Sequence, residues 1–255
     1  LLGDLYTAPL DTQKLNFANS TLVESESLAI GYLANTGSPG QTRIFSERKE
    51  SRDFLFADAY DYYITDPRNA QYYNTKIPYT NVMYTTMGGS DSKNERLKGT
   101  LTMNFGPKIN VGGDLDYIYS RGYYKNNGNK LLSYRLFGSY KSDRYEAHAY
   151  LSNFNFINYE NGGLANDSVI TNPDQYFAGE RNQDDPKAFN TRYPIKAWNR
   201  VRGKQYFLNH HYNLGFERES EEEVDTLGNP VKIFIPVSSI IHTLEYQDNR
   251  RRFRS

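Results

Sequence analysis

From Glu95 onward, polar and apolar side chains alternate with period two over long stretches of the chain. Between Glu95 and Phe105, the residues Leu97, Gly99, Leu101, Met103 and Phe105 alternate with Arg96, Lys98, Thr100, Thr102 and Asn104, the period of a strand with two unlike faces. After Gly106-Pro107-Lys108 the alternation resumes. Ile109, Val111, Gly113, Leu115, Tyr117 and Tyr119 stand against Asn110, Gly112, Asp114, Asp116 and Ile118, which predicts a hairpin with a tight turn. A second hairpin follows. It carries Leu132, Tyr134, Leu136, Gly138 and Tyr140 on one face, a Ser142-Asp143 turn, and then Tyr145, Ala147, Ala149 and Leu151 opposite Glu146, His148, Tyr150 and Ser152.

The rest of the chain is less regular. Residues 155–204 are rich in Asn, Asp, Gly and Pro and contain the only Trp, Trp198, which predicts a long surface loop, functional or disordered. A strand returns at Gln205–Glu217, with Tyr206, Leu208, His210, Tyr212, Leu214 and Phe216 on one face. An acidic run to Asp225, a Gly228-Asn229-Pro230 turn and a last strand at Val237–Tyr246 follow. Upstream, Tyr79–Thr86 reads as a strand, Leu28–Leu33 and Arg52–Phe56 read as weaker ones, and Asp58–Tyr73 is a tyrosine-rich stretch broken by Pro67. No capped amphipathic helix and no fixed-period repeat emerges. The whole chain, 1–255, reads as one all-β domain.

Strands of about 11 residues, joined alternately by tight turns and longer polar loops, suit an antiparallel up-and-down transmembrane β-barrel, whose tilted strands need about 9–11 residues and present alternate residues to lipid. An antiparallel sandwich alternates in the same way, but its strands average about 5–6 residues. In the barrel reading, Leu97, Leu101, Met103, Phe105, Leu115 and Tyr117 face lipid. Arg96, Lys98, Asp114, Asp116, Arg135, Glu146 and His148 then line a lumen of mixed sign, which suits a weakly selective channel.

Composition narrows the field further. Tyr numbers 23 and aromatics make up 15% of the chain, at a mean hydropathy of -0.77; disordered chains are poor in aromatics, and Tyr favours strands and membrane interfaces. Thirty bases balance thirty acids, so no basic field exists to gather nucleic acid. Cysteine is absent, which removes disulfides and thiolate metal sites. No segment approaches the roughly 20 apolar residues of a spanning helix. The chain begins Leu1-Leu2-Gly3-Asp4, with no initiator Met, basic n-region or small-residue cleavage site, so any export signal is expected to have been removed and location has to be argued from other features.

The motifs Leu33-Ala-Asn-Thr-Gly-Ser-Pro-Gly-Gln-Thr-Arg-Ile-Phe45, Phe54-Leu-Phe-Ala-Asp-Ala-Tyr-Asp61, Tyr73-Asn-Thr-Lys-Ile-Pro-Tyr-Thr-Asn81, Leu136-Phe-Gly-Ser-Tyr140, Asn161-Gly-Gly163, Tyr212-Asn-Leu-Gly-Phe216 and Pro236-Val-Ser-Ser-Ile-Ile-His-Thr-Leu-Glu-Tyr246 cover most of the chain. Together they resemble the Bacteroidetes putative porin family of outer-membrane β-barrels. The resemblance implies the outer membrane of a Gram-negative bacterium, contact with outer-membrane lipid and passage of small hydrophilic solutes. A homo-oligomer or a larger outer-membrane complex fits the same setting. The chain departs from the family in size. About seven or eight strands are legible, whereas eight-stranded barrels have filled interiors and water-filled pores use about sixteen. It also ends at Arg250-Arg-Arg-Phe-Arg-Ser255 with no evident closing strand, so a part of a larger barrel is expected.

Catalytic signatures are missing: there is no Gly-x-Ser-x-Gly elbow, no His-Glu-x-x-His and no phosphate loop. No enzyme, cofactor or metal is expected. His210-His211 would point to opposite faces of a strand, a poor geometry for one metal. Two alternatives remain open. One is a soluble or surface carbohydrate-binding module using exposed Tyr and Trp198; the other is a non-conducting barrel that scaffolds surface proteins.

Overall fold

The computed structural model describes residues 6–8, 29–32, 35–89, 92–172, 191–193, 197–224 and 230–255. Two short antiparallel strands, β1 (Ile30–Tyr32) and β2 (Gly40–Thr42), lie near the start. The alternating regions then build β3 (Tyr79–Gly88), β4 (Lys93–Phe105), β5 (Ile109–Arg121), β6 (Gly128–Lys141), β7 (Tyr145–Glu160), β8 (Ala197–Val224) and β9 (Pro230–Arg254). These seven form one antiparallel sheet in chain order, with β3 and β9 at its edges. The sheet is an up-and-down meander and is not closed on itself.

Several expectations need correction. Strands β7 and β8 run to Glu160 and from Ala197, so their connection is confined to residues 161–196, shorter at both ends than the loop at 155–204. Cross-strand pairing from Tyr145↔Tyr212 to Glu160↔Ala197 holds this irregular sequence extended, and in such a place propensity yields to the ladder. Arg52–Phe56 is not a strand, because Leu55–Tyr63 forms a 3-10 helix. The last strand does not stop near Tyr246 but continues through the basic run to Arg254. Residues 225–229, including most of the expected Gly228-Asn229-Pro230 turn, and residues 173–190 and 194–196 of the long connection lie outside the described residues.

The register places the two sequence patterns on two faces. Direct partners such as Leu101↔Gly113, Leu115↔Tyr134, Leu136↔Leu151 and Tyr206↔Tyr246 all belong to one face. On that outer face Val82, Leu101, Leu115, Leu136, Phe216 and Leu244 stay exposed. The opposite, inner face carries Arg96, Asp114, Arg135, Glu146 and His148 beside Ile118, Leu131, Phe137, Phe154, Phe156 and Phe207.

Residues 35–77 cover that inner face. Ala57, Tyr60, Tyr63 and Ile64 pack with Ile118, Leu131, Phe154, Phe156 and Val201. Farther along, Ala70, Tyr72 and Tyr73 pack against Phe137, Tyr150 and Phe207. The segment thus crosses the sheet from the end bearing residues 122–127, where β7 finishes and β8 begins, to the end bearing the tight turns, where it enters β3. Polar ties fix it: Ser120 Oγ donates to the Thr36 carbonyl at 2.7 Å, and the Thr75 amide donates to Asn104 Oδ1 at 3.2 Å. Gly112 is required here, since a Cβ on it would sit 2.4 Å from the Phe137 ring. Gly37 turns at φ +79 directly over Leu131 and Ile118, a conformation that favours glycine.

Candidate functional site

The inner face beneath residues 62–73 is where polar chemistry concentrates. Adjacent strands set opposite charges side by side. Arg96 Nε on β4 donates to Asp116 Oδ1 on β5 at 3.0 Å, and Arg135 Nε on β6 donates to Asp114 Oδ2 on β5 at 2.8 Å. Thr100 Oγ1 holds the other Asp114 oxygen at 2.9 Å. Arg135 also reaches the covering segment, donating from Nη2 to the Gln71 carbonyl at 3.0 Å, with its guanidinium 4.6 Å from the Phe137 ring centroid. Between sheet and segment lies a cleft of about 290 Å3, lined by Lys98, Asp114, Asp116, Ser133 and Arg135 from the strands and by Asn69, Gln71 and Tyr73 from the segment. Charge of both signs therefore faces one narrow space.

A second polar group lies nearer the tight turns. His148 Nε2 and His211 Nε2 stand 3.7 and 3.6 Å from the two oxygens of Glu146. The Tyr72 ring sits 4.8 Å from the His148 ring. Burial pushes the Tyr72 hydroxyl up to about 12, against the nearby charge of Arg135, so Tyr72 stays neutral at any physiological pH. Burial, followed by the charge of Glu160, raises the Tyr60 hydroxyl as well. These tyrosines serve as packing groups rather than as acids.

The segment is stiffened by its own ion pairs. Arg52 pairs with Asp61, Lys49 Nζ lies 3.0 Å from the other Asp61 oxygen, and Arg68 Nη2 lies 3.0 Å from Asp66 Oδ2. Burial would raise the Asp66 carboxyl, but hydrogen bonds and charge from Arg68, with added charge from Arg52, hold it below the usual carboxylate range.

All seven candidates for a charged lining, Arg96, Lys98, Asp114, Asp116, Arg135, Glu146 and His148, fall on the inner face. Leu97, Leu101, Met103, Phe105, Leu115 and Tyr117 fall on the outer one. The structure also brings together what sequence reasoning missed. The tyrosine-rich stretch at 58–73 is the cover of the inner face. His210, far from acting with His211, meets His242 across β8 and β9 on the outer face, Nε2 to Nδ1, at 3.2 Å.

The chain is thus an antiparallel β-meander with an exposed apolar face and a charged face under an internal segment. A family profile described as "Putative porin" matches residues 1–255. The chain belongs to that family. No curated protein and no solved structure matches it.

Proposed function

We propose that the chain forms wall and internal constriction of an outer-membrane porin that passes small hydrophilic solutes by diffusion. Support comes chiefly from the segregation of the faces. Soluble monomers rarely leave contiguous apolar patches beyond a few hundred Å2, whereas here exposed Val82, Leu101, Leu115, Leu136, Leu214 and Leu244 extend the apolar band from β3 to β9. On β8 the band runs from Tyr206 to Phe216, the length of a tilted membrane strand. Solutes take the mixed-sign path past Lys98, Asp114, Asp116 and Arg135, and residues 35–77 narrow it.

In a bilayer no sheet edge can stay unpaired. Strands β3 and β9 are therefore joined, in this reading, to further strands of one larger barrel. The reaction class is transport without chemistry, and the partners are membrane lipid and the solutes. Planar-bilayer recording of the detergent-extracted protein tests the proposal: stepwise conductance with little preference between potassium and chloride is the expected result. A protein that purifies as a soluble monomer without detergent would overturn it. Detergent dependence with no conductance would favour the second reading, a closed scaffold, which the tight packing of Tyr60 and Tyr63 on Phe156 makes specific.

A further inference from the structure

Past the apolar band, toward the end of the sheet that bears the long connection, the outer face changes character. Reading β8 backward from Tyr206 gives Lys204, Arg202 and Arg200 on that face, and β9 opposes them with Asp248, Arg250 and Arg252. Arg202 stands directly across from Arg250, and Arg200 across from Arg252. Like charges directly opposed on neighbouring strands repel. Here two such pairs follow one another, while Asp248, 3.3 Å from Arg250, is the one carboxylate described among them. The Arg200 Nε is buried without a hydrogen-bond partner among the described residues. Asn153, Asn155, Arg202, Lys204, Arg250 and the carboxylate of Asp248 line an open hollow of about 350 Å3 together with Arg200, whose guanidinium lies 5.2 Å from the Trp198 ring centroid.

We infer that this hollow binds the phosphate-bearing headgroup of a membrane lipid. The inference rests on the membrane reading above, which makes the face outward and puts the patch at headgroup depth. Tyr206 and Tyr246, with ring centroids 6.0 Å apart, separate it from Leu208 and Leu244, in the position of an interfacial aromatic belt. A phosphate there relieves the repulsion between opposed guanidiniums and supplies an acceptor for Arg200 Nε, while the acyl chains of the same molecule lie along Leu208 and Leu244. A free anion gains only the first of these. Long loops of outer-membrane barrels lie on the extracellular side, so the lipid belongs to the outer leaflet. Arg251, one residue from both Arg250 and Arg252, takes no part; it points inward, over the Phe56 ring at 4.4 Å.

The test compares the full chain with the variant R200Q/R202Q/R250Q/R252Q, both reconstituted in phosphatidylcholine vesicles. The vesicles are left plain, or doped with lipid A carrying its phosphates, or doped with the same lipid after phosphate removal. Retention of the doped lipid on the repurified protein and the thermal unfolding midpoint are read together. The wild type should retain phosphorylated lipid A at least about tenfold better than the variant and should alone gain stability from it. The dephosphorylated lipid should abolish the difference, and added salt should shrink it. The variant, freed of repulsion, should be no less stable than the wild type in plain vesicles. Equal retention by both proteins, or the same gain from inorganic phosphate alone, would overturn the inference. Flotation with plain vesicles separates the two levels: a chain that floats but shows no phosphate dependence sinks only the lipid site, whereas a chain that never floats sinks the membrane reading and the site with it.

Discussion

Arg135 and Gln71 are joined by a single hydrogen bond, guanidinium to main-chain carbonyl at 3.0 Å, and through it the charged face of the sheet grips the segment that covers it. The same guanidinium pairs with Asp114 and lies over Phe137. One side chain thus links lining charge, aromatic packing and the constriction.

Replacing Arg135 by Ala should therefore do two things at once. Asp114 would lose its guanidinium partner, keeping only the Thr100 hydroxyl among the hydrogen bonds described above, and the tie to residue 71 would be cut. The expected loss of stability is about 1–3 kcal/mol, read from denaturant unfolding in detergent. In bilayer recordings the variant should conduct more and favour potassium over chloride, because Asp114 and Asp116 remain. Unchanged selectivity would place the solute path elsewhere.

Space beside Phe137 is the next point. A Cβ on Gly112 would meet the Phe137 ring and, at 2.7 Å, the Leu101 carbonyl. Gly112→Val should overpack this contact and lower stability by about 1–3 kcal/mol. Gly138→Ala on the outer face, whose Cβ would find nothing nearer than 3.5 Å, should be nearly neutral. Matched thermal melts of the two variants check this.

Acid should loosen the constriction. Asp66 in the folded protein titrates below its unfolded value of about 3.9, since Arg68 and Arg52 outweigh burial. A lowered folded value means that the stabilisation is present above the unfolded value and disappears as pH falls through the folded one. Proteolytic cleavage within residues 35–77 should thus rise below about pH 4. In Asp66→Asn the susceptibility should already be high at neutral pH and should change little with acid.

The apolar face can be tested with charge. Leu115→Arg puts a cation at the centre of the outer band and should cost about 2–4 kcal/mol in vesicles if lipid lies there. Ser133→Arg, one residue removed in parity on the partner strand, should cost less, since it enters the polar cleft. Equal costs would argue against a lipid-facing surface.

Much of this was legible without coordinates because strand parity is local. A side chain's face is fixed by its odd or even place along the strand, and direct partners share a face, so Leu97 to Phe105 and Ile109 to Tyr117 sorted correctly from alternation alone. Where alternation lapses, the reading lapsed with it. Residues 155–160 and 197–204 keep no sustained apolar/polar alternation, yet they are strands because β6 to β9 extend the ladder past them. In the same way Arg250-Arg-Arg252 shows no strand pattern of its own, and only its pairing with β8 sends Arg250 and Arg252 outward and Arg251 inward.

By itself the sequence determined an all-β chain, its central hairpins, and which residues share a face, since these follow from a period of two and from turn residues next to one another in the chain. Tertiary structure alone decided that residues 35–77 fold onto the charged face, that Arg135 meets Gln71, that His210 meets His242, and that arginines about fifty positions apart stand opposed. Contacts of that kind depend on which surfaces compete for the same buried space and on the register of strands distant in sequence. No local pattern encodes either of them.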